Sequence, residues 1–473
     1  MKLYFSIIII VITFLGCKKD TPNADLNYAY LGGEIINPTT NFVVLSKDEV
    51  VIDTVKLDVR NRFIYKIINL NEGMYTFRHG GEYQMVLLEP QDSLLFRLNT
   101  LDFDESLVYT GEGDKKNNYL INHFLENEKE EKKIVKLCQS NPSIYEKHID
   151  SLKDEKEKDL NSFIKRFETT PLFEKIAKAN INYSYYSNKE VYPFIHFGKD
   201  KAAFLNSIPE SFYSFRKDVN YNDTFLSKYY NYNTFLRHNV SNISLKIHDN
   251  HSENNSFDRT SICYNLDRLE LIDSLISNAK IKDDILHYFT LMYLSKSQNN
   301  ENNETILKSY LNKSQNDKDK KMISDYVKSL NSLKDGEFLP STQLVDYDDK
   351  EVDIFSLIKE PSVISFWSSA YFSHFKDSHK KLIELKEKYP ETRFITINVD
   401  NYNIDKSKNI LLSYGFDLKN EYQFKNPKEA KNTLAIYPMT KTIIVDRNKK
   451  IVNSNTNIFS IHFEDQLLGT INQ

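Results

Sequence analysis

Tyr371 and His374 stand three residues apart where a short apolar run, Val363–Trp367, gives way to an amphipathic stretch, Phe375–Lys388. That spacing places both at the first turn of an expected helix. A phenol and an imidazole there offer an acid–base pair, part of a metal site, or no chemistry at all, with the positions kept for packing and recognition. The positive end of a helix macrodipole favours neutral imidazole, so His374 would keep a nitrogen able to accept a proton or bind a metal. A metal needs more ligands, and the local candidate, His379, is five residues from His374 and shares a helix face with it poorly. The sequence therefore assigns neither a catalytic residue nor a metal or cofactor here.

The sulfur chemistry is equally bounded. The three cysteines are Cys17, Cys138 and Cys263. Their separations exclude a local C-x-x-C redox motif and any Cys-based zinc knuckle. Cys138 and Cys263 read as buried small hydrophobes, with a disulfide between them as the alternative. Gly111-x-Gly113 follows an apolar run and approaches a helix, as a dinucleotide fingerprint would, but it lacks a third glycine and a βαβ setting; it reads as a turn.

The elements that must hold these residues come from 473 residues with 62 basic and 66 acidic side chains. A net charge of −4 gives no global basic field, so nucleic acid is not an expected partner. The length predicts two to four domains. Only 12 Gly and 12 Pro argue for regular elements over long loops.

The N-terminus runs Met1-Lys2, then an apolar stretch Leu3–Leu15 broken by Ser6 and Thr13, then Gly16-Cys17-Lys18-Lys19-Asp20. Thirteen helical residues would span roughly 20 Å against a hydrocarbon core of about 30 Å, so a signal peptide is expected in place of a membrane span. Phe14-Leu15-Gly16-Cys17 resembles the bacterial lipobox. The resemblance implies that residues 1–16 are removed, that Cys17 is lipidated and holds the protein to a membrane, and that 17–27 is a tether. A secretory signal with an incidental cysteine is the alternative. Lys18 directly after Cys17 implies delivery to the outer membrane of the cell envelope, and Lys18-Lys19-Asp20 resembles a surface-export tag. Periplasmic and surface faces both stay open.

From 28 to 114 short apolar runs alternate with turn formers: Phe42–Leu45, Val50–Leu57, Phe63–Ile68, Met74–Phe77, Tyr83–Leu88, Leu94–Leu98 and Leu107–Tyr109. About seven strands at this spacing predict an all-β sandwich. From 115 to 333 the period becomes helical, as in Leu160, Phe163, Ile164 and Phe167 or Ile323, Tyr326, Val327 and Leu330. Asn299–Glu304 reads as a loop. The aromatic stretch Phe212–Phe235 reads as core, with a carbohydrate- or protein-binding surface as the alternative. From 334 to 473 strands and helices alternate: Val363–Trp367, Phe375–Lys388, Phe394–Val399, Asp405–Tyr414, Lys441–Val445, Ile451–Ser454 and Ser460–Ile471. The strand–helix–strand unit implies a parallel pair in an α/β domain.

Val363-Ile364-Ser365-Phe366-Trp367-Ser368-Ser369-Ala370-Tyr371-Phe372-Ser373-His374 resembles the thioredoxin active-site segment, with Tyr371 and His374 at the two cysteine positions. Gly336-Glu337-Phe338-Leu339-Pro340 resembles the start of TlpA/ResA-like thiol-disulfide oxidoreductases, and Ile436-Tyr437-Pro438-Met439-Thr440 their cis-proline loop. Leu87–Leu94 and Gly111–Leu120 more loosely resemble the β-domain and linker that precede this module in certain envelope lipoproteins. The resemblance implies a thioredoxin-like fold for 334–473. It also implies a degenerate active site at Tyr371, Phe372, Ser373 and His374, and a groove at Tyr437, Pro438 and Met439 that takes an extended peptide or an envelope protein.

Disulfide exchange needs a stabilised thiolate and a resolving thiol, and these positions hold neither. Ser365 stands where thioredoxins carry their buried acid. The expectation is a lipid-anchored envelope protein whose redox-inactive thioredoxin-like domain is a binding module. The alternatives are a TlpA/ResA-type oxidoreductase using Cys138 or Cys263, and a structural or substrate-capturing lipoprotein whose β and helical regions bind.

Overall fold

The computed structural model describes residues 27–48, 50–198, 200–251 and 258–471. The expected signal peptide and Cys17 lie outside them. These residues form two compact units divided between Asn127 and Glu128.

The first unit contains β1 (Tyr28–Ile36), β2 (Phe42–Lys47), β3 (Val50–Lys56), β4 (Arg62–Ile68), β5 (Gly73–His79), β6 (Glu82–Leu88), β7 (Ser93–Asn99) and β8 (Val108–Glu112). They make two four-stranded sheets, β4-β1-β7-β8 and β3-β2-β5-β6. The inward residues of both sheets share one core, in which Phe77 of one sheet stacks on Phe96 of the other with ring centres 4.4 Å apart.

The strand missing from the sequence reading is β1, which pairs parallel to β7 and antiparallel to β4. Gly32-Gly33 breaks its apolar signal, yet the fold needs those glycines. A Cβ on Gly33 would stand 2.7 Å from the Phe96 ring, and one on Gly32 would stand 2.6 Å from the Phe63 carbonyl oxygen.

Gly111 ends β8 and Gly113 turns the chain, both at positive φ, into α1 (Asp114–Leu137). Asn117 then pairs with the backbone N–H and carbonyl of Leu87, and Asn118 with those of Tyr109, at 2.7–2.9 Å. Lys116 bridges Glu89 at 2.6 Å and Asp92 at 2.8 Å. The start of the helix is thereby fastened to its own sandwich.

The second unit opens with a helical layer: α2 (Pro142–Arg166), α3 (Pro171–Ile195), α4 (Lys201–Ser207), α5 (Tyr230–Asp249), α6 (Ile262–Leu275), α7 (Ala279–Leu294), α8 (Asn300–Lys313) and α9 (Asp317–Ser332). Asn299 caps α8 by accepting the Asn302 N–H, so the expected loop over Asn299–Glu304 is instead a helix start. The charged runs of α1 and α2 lie mid-helix as largely exposed faces.

Most of the large side chains between Phe212 and Phe235 are core, but in short 3₁₀ turns and the start of α5. A buried Glu190 ties this layer together. It takes a bidentate pair from Arg216 at 2.8 and 2.6 Å and an amide N–H of Asn239 at 2.7 Å.

The layer leads without a break into an α/β domain. Its elements are β9 (Gln343–Asp346), β10 (Glu351–Asp353), α10 (Ile354–Leu357), β11 (Ser362–Trp367), α11 (Phe372–Lys388), β12 (Arg393–Asn398), α12 (Ile404–Ser413), β13 (Glu421–Phe424), α13 (Pro427–Thr433), β14 (Thr442–Val445), β15 (Ile451–Thr456) and α14 (Phe463–Ile471). The sheet order is β10-β9-β13-β12-β11-β14-β15.

Three central strands, β13, β12 and β11, run parallel, and β14 and β15 continue antiparallel. This is the thioredoxin-like arrangement that the resemblance implied, with three parallel strands where the sequence pattern showed two. β13 escaped notice because Glu421-Tyr422-Gln423-Phe424 lacks an apolar pattern, although all four residues are buried.

Candidate functional site

β11 is buried on both faces and ends at Trp367, which is fully enclosed against Phe375 and His379. The turn that follows is held from the neighbouring strand. Asp400, just past β12, accepts from the Ser368 hydroxyl and from the Ser369 N–H at 2.8 Å. Burial pushes the Asp400 carboxyl up, but these bonds outweigh it and hold the carboxyl below its ordinary range.

So placed, Tyr371 caps α11 with its side chain 58% exposed and makes no capping bond of its own. Phe372 turns inward against Tyr414 and Phe375, and Ser373 is exposed. His374 is half-buried, with Nδ1 enclosed and unpartnered, and burial together with His379 lowers its pKa. The imidazole is therefore neutral at pH 7, in the sense expected from the helix N-terminus but with burial as the leading cause.

The Tyr437–Pro438 peptide is cis. The loop faces the helical layer: the Tyr326 hydroxyl of α9 donates to the Tyr437 carbonyl at 2.9 Å, and the two rings meet edge to face. Burial raises the Tyr437 hydroxyl, Tyr288 and Tyr371 raise it further, and Arg237 draws it back. These four side chains from α5, α7, the α11 cap and the proline loop therefore belong to one neighbourhood. Met439 and Pro438 stay partly exposed beside them.

Beneath the loop, Lys441 is buried, and its ammonium donates to the Ala435 carbonyl at 2.9 Å. Burial brings its pKa down to about 7. Ser365 is buried with an unpartnered hydroxyl; the buried acid nearby is Glu421, 3.5 Å from His379, whose pKa burial raises.

Sequence reasoning missed a second feature. Arg237 on α5, Arg268 on α6, Arg259 and Lys296 line one cavity of about 330 Å³ in the helical layer, and no Asp or Glu lines it among the described residues. Arg268 is 93% buried. Among the described residues its guanidinium hydrogen-bonds only the neutral partners Asn265, Ser241 and Tyr264, and its Nε has none. Arg237 lies 3.9 Å over the Tyr288 ring with Nε unpartnered, and His238 adds a buried, unpartnered Nδ1. Burial lowers Lys296, and Arg259 and Arg268 lower it further. In succession the four cations stand 22, 9 and 28 residues apart with no shared motif, so no local spacing could have announced them.

Cys138 and Cys263 are both free thiols. Cys138 is buried in the helical layer, and burial pushes its thiol up to about 11. It carries almost no thiolate at pH 7.

No protein-family profile matches the chain, and no curated protein is similar to it. Among solved structures, it is similar to a provisionally assigned thiol-disulfide oxidoreductase from Bacteroides vulgatus, at 15% identity and a TM-score of 0.27 over 29% of this chain and 98% of that one. It is also similar to the thioredoxin domain of a thiol-disulfide oxidoreductase from the same species, at 17% identity and a TM-score of 0.24 over 30% and 97%. A thiol:disulfide interchange protein from a Bacteroides species matches at 16% identity and a TM-score of 0.25 over 30% and 93%. No helix of the described residues is long and apolar enough to cross a membrane.

Proposed function

We propose that this protein is a lipid-anchored envelope binding protein whose thioredoxin-like domain performs no disulfide exchange and recognises, together with the helical layer, an extended peptide bearing carboxylates. The observation that carries this reading is the cavity holding four cations with no carboxylate among the described residues, two of whose wall residues, Arg237 and Tyr288, act on Tyr437 of the cis-proline loop. Of the four only Arg268 is buried; a buried cation left without a counter-charge is costly, and an anionic partner relieves that cost. The exposed Tyr371 and the apolar Phe372, Pro438 and Met439 supply the adjoining surface for an extended chain. Cys17 supplies the anchor in this reading, at the outer membrane.

Photo-crosslinking from a reactive residue at Tyr371 in the native envelope tests it. The expected adduct is one recurrent acidic peptide stretch, lost with Arg237→Met and with Pro438→Ala. Adducts indifferent to both substitutions refute the reading. Insulin reduction should proceed at the uncatalysed rate; catalysis abolished by Cys138→Ser or Cys263→Ser would restore the oxidoreductase reading instead.

One observation favours a second reading, capture of a small anion by the helical layer alone: every residue lining the cavity lies between 191 and 296. Binding that survives Pro438→Ala but not Arg268→Met belongs to it.

A further inference from the structure

α5 ends in His248, and the next turn of chain, with the His251 N–H 3.2 Å from the His248 carbonyl, keeps His251 on the same side. α6 begins with Cys263 and reaches Asp267 four residues on, again on one face. The two helix ends bring these four side chains together. His248 Nδ1 lies 3.1 Å from one Asp267 carboxylate oxygen, and His251 Nε2 lies 3.1 Å from the other. Cys263 Sγ is 3.7 Å from the His251 ring, and one donor atom from each of the four residues falls within 4.8 Å of every other.

We propose that His248, His251, Cys263 and Asp267 form a tetrahedral zinc site that staples the end of α5 to the start of α6. Two imidazoles, a thiolate and a carboxylate suit a borderline-soft divalent ion. Zinc bonds of about 2.0–2.3 Å put tetrahedral ligands roughly 3.3–3.8 Å apart, so spacings of up to 4.8 Å need adjustments of at most about 1.5 Å. The spacing of the cysteines excluded only sites built on paired cysteines; a site with one cysteine, completed by residues from a second helix, escapes that exclusion.

Two features of the cluster favour an ion over a hydrogen-bonded ion pair. An ion pair of Asp267 with the histidines leaves the Cys263 thiol only its long 3.7 Å contact to His251, and a thiolate beside Asp267 would be repelled unless a cation lay between them. The side chain of His251, 45% exposed, leaves a path for entry. Four protein ligands leave no open position, so the ion is structural. It would fix the helices that carry Arg237 and Arg268.

The test is cobalt substitution in the chelator-stripped full chain. Equimolar cobalt should give the intense visible bands of a tetrahedral site and a near-ultraviolet thiolate charge-transfer band, both removed by one equivalent of zinc. Cys263→Ser should abolish the charge-transfer band, His251→Ala should weaken binding at least about 10-fold, and Cys138→Ser should change neither. Circular dichroism establishes that all three variants are folded, Cys263 and His251 standing at partly exposed positions and Cys138 in the core. Weak octahedral bands in the native protein, no bands at all, or a charge-transfer band that survives Cys263→Ser would each overturn the proposal.

Discussion

Lys441→Met should stabilise the second unit at neutral pH and flatten the rise of its stability with alkali. Lys441 is buried at the base of the cis-proline loop, and its pKa falls from an ordinary 10.5 to about 7 because burial disfavours the ammonium. At about 1.4 kcal/mol per pH unit, that displacement costs the folded state on the order of 4–5 kcal/mol once both states are protonated.

The unfolded chain binds this proton below about 10.5 and the folded chain only below about 7. Unfolding therefore takes up a proton between those values, and stability rises with pH through that window by up to about 1.4 kcal/mol per unit. Methionine removes the titration and nearly conserves volume, but it leaves the Ala435 carbonyl without its donor, at about 1–3 kcal/mol. The net gain near pH 7.5 is on the order of 1–3 kcal/mol.

Trp367 is the only tryptophan and sits fully buried in β11, which pairs with β14 directly after Lys441, so its fluorescence reports unfolding of this sheet. In denaturant titrations between pH 7.5 and 9.5, the native protein should gain roughly 2–3 kcal/mol more than the variant. Parallel profiles for the two proteins would refute the reasoning, because every other titrating group is common to both.

Asp400→Ala removes the acceptor of the Ser368 and Ser369 bonds and should cost about 2–4 kcal/mol at pH 7 by the same fluorescence assay. Since the folded carboxyl titrates below its ordinary value, the native advantage over the variant should shrink as pH falls through that lowered pKa. Gly33→Ala should destabilise the sandwich by at least about 1–3 kcal/mol, seen as lost amide-exchange protection within residues 28–112, while the Trp367 transition stays where it was. Tyr326→Phe should leave the Tyr437 carbonyl without its donor and speed amide exchange across residues 435–440; unchanged exchange there would mean that the loop holds itself.

That Tyr371 and His374 cannot themselves exchange disulfides was written in the sequence by itself, because a phenol and an imidazole do so in no fold. Apolar runs between turn formers also marked seven sandwich strands, and helical spacing the α9 face of Ile323, Tyr326, Val327 and Leu330, since both are local properties of the chain. Where long-range packing overrides local pattern, the sequence was silent. β1 tolerates two mid-strand glycines because Phe96 and Phe63 crowd it, and β13 buries Glu421 beside His379 and Gln423 against Asn398 and Asn401.

The charged features were invisible for a related reason. Arg237, Arg259, Arg268 and Lys296, or His248, His251, Cys263 and Asp267, gain meaning only when helices from different parts of the chain set them within ångströms of one another. In the sequence Lys441 stands only as the first residue of an expected strand. Only the sheet that closes over it turns it into a group titrating near neutrality, because desolvation is a property of the enclosure and not of the residue.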